Sequence, residues 1–397
     1  MTMPKDCGTH GALTTALLTA GDGLNPRSWS GIPFHIAAAL ERRLGPVASL
    51  GPMPAWPGKL LKAQARLNHY FDDHRSLPGQ SDRLSRFYGR VAKGRLRDMN
   101  ARPSLVFSPV GSVLLAHLET DLPVVYSSDA TARLMFDYYP QFTDLSARAR
   151  TMVDDLERRA IERADLLLYP THWAADSAMR DYGADAGKVR VIPYGANLSE
   201  APDAVAPREY DAATCRLLMV GVNWEIKGGA IAVETLRALQ ERGIPAELTI
   251  VGCTPPKPID LPGLRFIEFL DKNSAEDRNT LNELYRKANF FILPSRCECY
   301  GIVFCEAAAH GLPAIASRTG GIPEVVREGE NGYTLPLSEG GSAYAARIAE
   351  TWANPAVYRE LSVQSRQAYE TRLNWDAWAT EAAQAITELL EHRAPAS

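Results

Sequence analysis

The chain has 397 residues, of which 46% are hydrophobic and 23% charged, and its formal net charge is -4. One hydrophobic core stops growing at roughly 250–300 residues, so this length predicts two domains. The small negative charge gives no general attraction to nucleic acid, and no nucleic-acid partner is predicted. No apolar run reaches the ~18 residues of a membrane-spanning helix, and the glycine-interrupted N-terminal segment predicts no cleaved signal peptide. Six unevenly spread cysteines favour a reducing compartment, so we expect a cytoplasmic protein.

Strand and helix patterns alternate through the first half of the chain. Short β-branched or leucine-rich runs predict strands at ALTTALLTAG, PVASLG, SLVFSP, PVVYSS, DLLLYP and VRVIPYG. Apolar residues at helical spacing predict helices over 32–44, 84–99, 143–163 and 172–182. This alternation predicts a parallel sheet covered by helices on both faces.

A stretch rich in Ala, Pro and Asp, residues 195–214, has no clear period and interrupts the alternation. Strand patterns then resume at RLLMVG, AELTIVG, LRFIEFL, NFFILP, PAIAS and GYTLP. The sequence therefore predicts an α/β protein with two Rossmann-like, doubly wound domains. The predicted division is an N-terminal domain over 1–197, a linker over 198–214, a second domain over 215–373 and a C-terminal helix over 374–397.

The C-terminal helix has Asn374 as its predicted N-cap and is expected to pack back toward the N-terminal domain. Open parallel sheets bind ligands outside the carboxyl ends of their strands. Two such domains joined by one linker therefore predict a ligand cleft between them.

The segment SRCECYGIVFCEAAAHGLP, residues 295–313, is the first candidate site. Its helix is closed by Gly311, with Glu298 in the preceding loop and Glu306 about one turn inside. The first N–H groups, near Gly301, Ile302 and Val303, have no partners within the helix and suit a phosphate or diphosphate. The two carboxylates can accept hydrogen bonds from hydroxyls at opposite ends of one ligand. The alternative is that Glu298 caps the helix and Glu306 is solvated; spacing alone leaves both open.

The second candidate is VGVNWEIKGG, where Lys227 precedes two glycines and a helix. Its ammonium can reach a phosphate at the mouth of a cleft. The alternative is a surface lysine in a turn, and the motif by itself favours that alternative. The segment is not a Walker loop, because the six-residue glycine spacing and the following Ser or Thr are missing.

Together these segments resemble the retaining nucleotide-sugar glycosyltransferases of glycosyltransferase family four, which have the GT-B fold with two domains facing across a cleft. The resemblance is closest over 216–336 and weaker over 162–197 and near SWSGIPFHIAAALERRLG. Several blocks in the family's order are more specific than any single motif. The segments over 216–336 are LLMVGVNWEIKGG, AELTIVG, ANFFILPSRCECYGIVFCEAAAHGLPAIASRTGGIPEVV and EGENGYTLP.

The resemblance implies roles for individual residues. Glu298 lies by the donor sugar, Glu306 takes the ribose hydroxyls, and Lys227 neutralises the diphosphate leaving group. The backbone from Tyr300 through Gly301, Ile302 and Val303 belongs to the donor site. From the N-terminal domain, Ser30 and Gly31 approach the donor phosphate, since glycine permits close backbone contact.

Two departures from the family pattern stand out. An arginine often precedes the lysine, but here Gly221 is followed by Val222, Asn223 and Trp224, and Asn223 can supply only a neutral donor. A histidine often follows the strand VVYSSDAT, where this chain has Asp129. Asp129 is a candidate catalytic contact with sugar or acceptor; the alternative is a plain N-cap of the following helix.

Three other features favour structural interpretations. Cys297, Cys299 and Cys305 match no common zinc spacing, so no metal site is predicted. His310 is explained by interaction with the helix C-terminus. Residues 83–99 form a basic amphipathic helix, either packed on the core with a solvated basic face or resting on anionic lipid.

The sequence thus predicts a metal-independent glycosyltransferase without a cofactor. Its predicted donor is a nucleoside-diphosphate sugar, and its predicted acceptor is a glycan, glycolipid or cell-surface polysaccharide precursor. Retention of configuration follows from the resemblance alone. Contact with the inner membrane face is an option that the basic helix leaves open. The alternatives are an epimerase or phosphorylase of the same architecture, or a catalytically silent nucleotide-sugar-binding protein.

Overall fold

The computed structural model describes residues 13–61, 76–198, 200, 202 and 213–393. The chain divides into two compact units. The first contains the described residues up to Tyr169, Ala174–Ile192 and those from Ala379 onward. The second contains Pro170–Trp173 and the described part of Pro193–Trp378. Most of the predicted linker, namely residues 199, 201 and 203–212, lies outside the described residues.

The first unit contains one parallel sheet of six strands in the order β2-β1-β3-β4-β5-β6. Leu17 pairs with Ser49 on one side and with Phe107 on the other, so β1 is an interior strand. All residues of β3, β4 and β5 are buried, as expected for strands covered on both faces. The strands are β1 Thr15–Leu17, β2 Val47–Ser49, β3 Leu105–Pro109, β4 Val124–Ser127, β5 Leu166–Tyr169 and β6 Val189–Val191.

Helices connect these strands, because parallel neighbours require crossover connections. The predicted helix over 143–163 begins later than expected, because Ser146 is the N-cap and accepts from Ala149 N at 3.1 Å. The helices of this half of the chain are α1 Ile32–Arg43, α2 Asp82–Arg97, α3 Ser112–Leu115, α4 Ala132–Met135, α5 Ala147–Arg163 and α6 His172–Tyr182.

Helix α2 is the basic amphipathic helix of the sequence. One face is buried through Leu84, Tyr88 and Ala92. On this face Arg95 donates to Leu50 O and Pro52 O, whereas the other basic side chains are exposed. Of the exposed ones, Arg86 pairs with Asp82, the two side chains meeting at 2.7 Å. The prediction of a core-packed helix with a solvated basic face is confirmed.

The second unit contains another parallel sheet of six strands, in the order β12-β11-β10-β7-β8-β9. The interior strand β10 is buried throughout. The strands are β7 Cys215–Val220, β8 Ala246–Val251, β9 Leu264–Ile267, β10 Phe290–Leu293, β11 Ala314–Ser317 and β12 Gly332–Leu335. The helices of this half of the chain are α7 Gly229–Glu241, α8 Ala275–Lys287, α9 Ile302–Ala309, α10 Ile322–Val325, α11 Gly341–Trp352, α12 Pro355–Thr371 and α13 Trp375–Arg393.

Asn374 starts α13 as predicted: its Oδ1 accepts from Asp376 N at 2.9 Å and Ala377 N at 2.8 Å. The helix begins in the second unit, and its residues from Ala379 onward belong to the first. Within the first unit, Arg393 near the end of α13 pairs with Asp165 at 2.9 Å. Among the described residues, no helix is both long and apolar enough to cross a membrane.

Candidate active site

In the second unit, the loops after β7 and β10 lie side by side, because these two strands are neighbours in the sheet. In the first loop, Asn223 Oδ1 accepts from Ile226 N at 2.8 Å, and Lys227 N donates to Asn223 O at 2.9 Å. The two loops are joined by a hydrogen bond from Arg296 N to Ile226 O at 2.7 Å. Asn223 therefore shapes the turn that carries Lys227.

Glycines let these two loops approach closely. Gly228 has φ +72°, and a Cβ there would lie 2.1 Å from the carbonyl oxygen of Pro294. Such a distance excludes any side chain at this position. The lysine that precedes the glycine is thereby held beside the loop after β10.

Lys227 and Glu298 form an ion pair between the two loops, Nζ to Oε2. The lysine side chain is 18% exposed and the glutamate side chain 12% exposed. Lys227 thus lies in a turn, as the alternative had it, but its ammonium is paired with a carboxylate. The structure brings together the two residues to which the resemblance assigns leaving-group and sugar contacts.

Gly301 is the N-cap of α9, at φ +88°. A Cβ there would lie 2.6 Å from the Phe304 ring and 3.3 Å from Glu298 Cγ, so the position requires glycine. The N–H groups that open a helix lack intrahelical acceptors, so those of Ile302 and Val303 suit an anion. Gly311 follows the C-cap at φ +60°, as predicted.

The Tyr300 side chain faces the core. Its hydroxyl donates to Tyr194 O at 2.7 Å, and only 2% of the residue is exposed. A donor contact at this position would therefore involve the backbone and not the phenol. Next to it, burial raises the pKa of the Cys305 thiol to about 12.

Glu306 is the fifth residue of α9 and has no exposed surface, so the alternative of a solvated carboxylate is wrong. Its Oε1 is paired with Lys272 Nζ, and its Oε2 accepts from Tyr285 OH at 3.3 Å. Sequence reasoning missed Lys272. The available signal was its position in the loop that follows β9, at the carboxyl edge of the sheet.

Burial accounts for the cysteines of this segment, and a contact within α9 accounts for His310. Cys297 and Cys299 are buried, and burial raises the pKa of the Cys297 thiol. His310 Nδ1 lies 2.9 Å from the carbonyl oxygen of Glu306 in the last turn of α9, which confirms the helix C-terminal interpretation. Among the described residues, no group of three or more His, Cys, Asp or Glu side chains is arranged to hold a metal ion.

In the first unit, the segment before α1 has an unusual backbone. Trp29, Ser30 and Gly31 have φ values of +43°, +56° and +82°. Left-handed φ at non-glycine residues costs about 1–3 kcal/mol each and concentrates at functional sites. The strained backbone includes Ser30, which with Gly31 is predicted to approach the donor phosphate. The sequence did not predict a role for Trp29.

Asp129 follows β4, which is separated from β1 by β3 alone. The loop after β1, which leads to Ser30 and Gly31, and the loop after β4 therefore leave the same edge of the first sheet. Between them, Val110 after β3 has φ +47° and is 42% exposed, an outlier for a β-branched residue that sequence patterns do not signal. The N-cap of α4 is Thr131, so the interpretation of Asp129 as that cap is wrong.

Two family models match the chain. Glycosyltransferase Family 4 matches residues 34–200, and Glycosyl transferases group 1 matches residues 214–354. Lys227, Glu298 and Glu306 all lie in the second match. The matched segments together extend over most of both units.

Curated relatives include D-inositol 3-phosphate glycosyltransferases. That of Nocardiopsis dassonvillei is 27% identical over 277 residues, which is 66% of this chain and 63% of the relative. That of Actinosynnema mirum is 30% identical over 240 residues, 55% of this chain and 56% of the relative. The chain thus matches less than two thirds of the length of these relatives.

Some solved structures are similar over nearly the whole chain. Sucrose-phosphate synthase from Thermosynechococcus elongatus has a TM-score of 0.67 at 20% identity, covering 96% of this chain and 100% of that chain. WaaG, a glycosyltransferase involved in lipopolysaccharide biosynthesis, has a TM-score of 0.60 at 17% identity, covering 94% and 99%. Two Rossmann-like units with these neighbours define a GT-B protein. With both family models matched, the chain belongs to glycosyltransferase family four.

Proposed function

We propose that this protein transfers a sugar from a nucleoside-diphosphate sugar to an acceptor hydroxyl, with retention of anomeric configuration. The observation that carries the proposal is the pairing of Lys227 with Glu298 beside the Gly301 cap of α9. A cation, a carboxylate and unpaired helix N–H groups within one loop cluster suit a sugar linked to a diphosphate.

Lys227 can serve both partners at once. An ammonium has three donors, and the bond to Glu298 uses one of them, so a diphosphate oxygen can take another. Charge then accumulates on the leaving diphosphate next to the lysine and the start of α9, where it is stabilised. Because the Lys227–Glu298 pair is itself neutral and the expected arginine is absent, the helix N-terminus carries more of that stabilisation.

In this proposal Glu298 acts on the sugar. Its side chain is 12% exposed and shielded from bulk water, which strengthens its interaction with positive charge that develops on the sugar ring. In a retaining reaction on one face, the departing phosphate oxygen takes the acceptor proton, so no separate protein base is required. In this mechanism Lys227 and α9 serve where a divalent ion would otherwise act, and turnover is metal-independent.

The contribution from the first unit is part of the proposal. Ser30 and Gly31 approach the donor phosphate, and Asp129 contacts the sugar or the acceptor. The acceptor is a glycan, glycolipid or polysaccharide precursor hydroxyl. Because the matched relatives are named for D-inositol 3-phosphate, that phosphorylated polyol belongs among the acceptors tested.

The experiment is a matrix of donors and acceptors with release of nucleoside diphosphate as the readout. UDP-, GDP- and ADP-sugars are incubated with simple glycans, glycolipids and D-inositol 3-phosphate, with and without EDTA, and the product anomer is read by NMR. Lys227→Ala is expected to reduce kcat by two orders of magnitude or more. The matched control is Lys287→Ala, whose lysine is 65% exposed and paired on α8 with Glu283.

The outcomes separate the alternatives. Binding of a donor without release for every acceptor would favour the silent binding protein and overturn the transferase proposal. Conversion of the donor sugar without transfer would identify an epimerase. Loss of activity in EDTA would refute metal independence, and an inverted product would refute retention.

A further inference from the structure

The buried carboxylate of Glu306 is unusual for its surroundings. It has no exposed surface, although it lies on α9, whose first residues form the proposed phosphate site at the carboxyl edge of the sheet. A carboxylate removed from water is stable only when it is paired and hydrogen-bonded. Lys272 and Tyr285 meet that requirement, one on each carboxylate oxygen.

Both partners of Glu306 are themselves held in place. Tyr285 is fully buried and its ring stacks on His310, with centroids 4.9 Å apart and an interplanar angle of 11°. The backbone carbonyl of Lys272 accepts from Arg278 Nη1 at 3.1 Å, and Asp271 N donates to Asp277 Oδ2 at 2.8 Å. The loop after β9 is thus anchored to the start of α8, which fixes the base of the lysine side chain.

Lys272 is the only one of these three groups with substantial exposure, since its side chain is 38% exposed whereas Tyr285 and Glu306 are fully buried. It is therefore the partner of Glu306 that solvent reaches. Of the two partners of Glu306, a ligand can displace the partly exposed and flexible lysine more easily than the fully buried Tyr285.

We propose that Lys272 is a positioning residue of the nucleotide site: it orients the Glu306 carboxylate through their ion pair, and yields Oε1 to the vicinal hydroxyls of the donor's ribose. The proposal rests on the proposed function, because it assumes a nucleoside-diphosphate donor. A carboxylate has about four acceptor positions, and the lysine and tyrosine use one each, which leaves two for a diol. Removal of the lysine takes away the partner of Oε1 and leaves the buried carboxylate without its charge pair.

The test compares a ribose diphosphate with an analogue that lacks the diol. Calorimetric affinities are measured for the best binder among UDP, GDP and ADP and for its 2′,3′-dideoxy form, with wild type, Lys272→Met and Lys272→Arg. Wild type is expected to bind the ribose form about tenfold more tightly or better, because the free energy of hydrogen bonds to a charged group corresponds to a difference in affinity of that size. Lys272→Met should lose that preference, and Lys272→Arg should largely restore it.

Lys287→Met serves as the control, because its lysine pairs with Glu283 on the exposed face of α8. It should retain the wild-type preference. Should Lys272→Met not fold, Lys272→Gln replaces it, since glutamine can donate to Glu306 without a charge and should still weaken the preference.

The result that overturns the proposal is an unchanged ratio between the two ligands in the uncharged variant, including equal loss of affinity for both. That outcome leaves the proposed function intact. Failure of wild type to bind any of the three nucleoside diphosphates would instead refute the proposed function itself.

Discussion

A matched pair of glycine substitutions tests the geometry at the start of α9. Gly301 and Gly329 both have left-handed backbones, with φ of +88° and +72°. They differ in their surroundings: a Cβ on Gly301 would lie 2.6 Å from the Phe304 ring, whereas nothing lies within 4 Å of a Cβ on Gly329. Substitution by alanine therefore separates backbone strain from steric conflict.

The expected magnitudes follow from these two terms. Left-handed backbone at alanine costs about 1–2 kcal/mol in both variants. In Gly301→Ala the Phe304 ring, which is 1% exposed, cannot move into solvent, and overpacking adds about 1–3 kcal/mol. We thus expect Gly301→Ala to lower the free energy of unfolding by about 2–5 kcal/mol and Gly329→Ala by about 1–2 kcal/mol.

Urea denaturation followed by tryptophan fluorescence measures the free energies, and the turnover assay above measures function. Because the new methyl group would also lie 3.3 Å from Glu298 Cγ, Gly301→Ala should reduce kcat well beyond the effect of Gly329→Ala. Equal free-energy losses in the two variants would refute the close approach of Gly301 to Phe304. Equal turnover would refute the role of this cap in the active site.

Three further measurements address other groups. Burial raises the pKa of Glu157 from 4.5 to about 7, so its contribution to stability is complete below pH 4.5 and is lost as pH rises through 7. Glu157→Gln should remove about 2.5 kcal/mol of the difference in unfolding free energy between pH 5 and pH 8, measured by urea titration, and an unchanged difference would contradict the burial. Tyr300→Phe should cost about 1–3 kcal/mol of unfolding free energy without changing nucleotide affinity; weaker binding by calorimetry would place the phenol in the site. Cys305, with its pKa raised to about 12, should resist iodoacetamide at pH 8 until the protein is unfolded, and rapid labelling of native protein by mass spectrometry would show that the thiol is accessible.

Local sequence patterns predict much of the architecture. The strands β3, β4 and β10 were predictable because strands buried on both faces are continuous apolar runs. Asn374 and Gly311 were predictable as helix boundaries because each acts on neighbouring backbone groups. The start of α9 at Gly301 likewise depended on a few adjacent residues.

The contacts of the site depend on distant parts of the chain. Lys227 lies 71 positions from Glu298, and Lys272 lies 34 positions from Glu306, so their pairing requires strand ends to meet at one edge of the sheet. No spacing in the sequence indicates that Glu306 is fully buried or that Tyr300 faces inward. Nor does propensity indicate positive φ at Val110, since β-branched residues disfavour it.

The sequence by itself thus determined the alternation of elements, the two sheets and the candidate glutamates, because hydrophobic period and cap residues act over a few positions. Only the tertiary structure decided which lysine accompanies each glutamate. It paired Lys227 with Glu298 and Lys272 with Glu306, because each lysine is distant in sequence from its glutamate and only folding brings the two charges together.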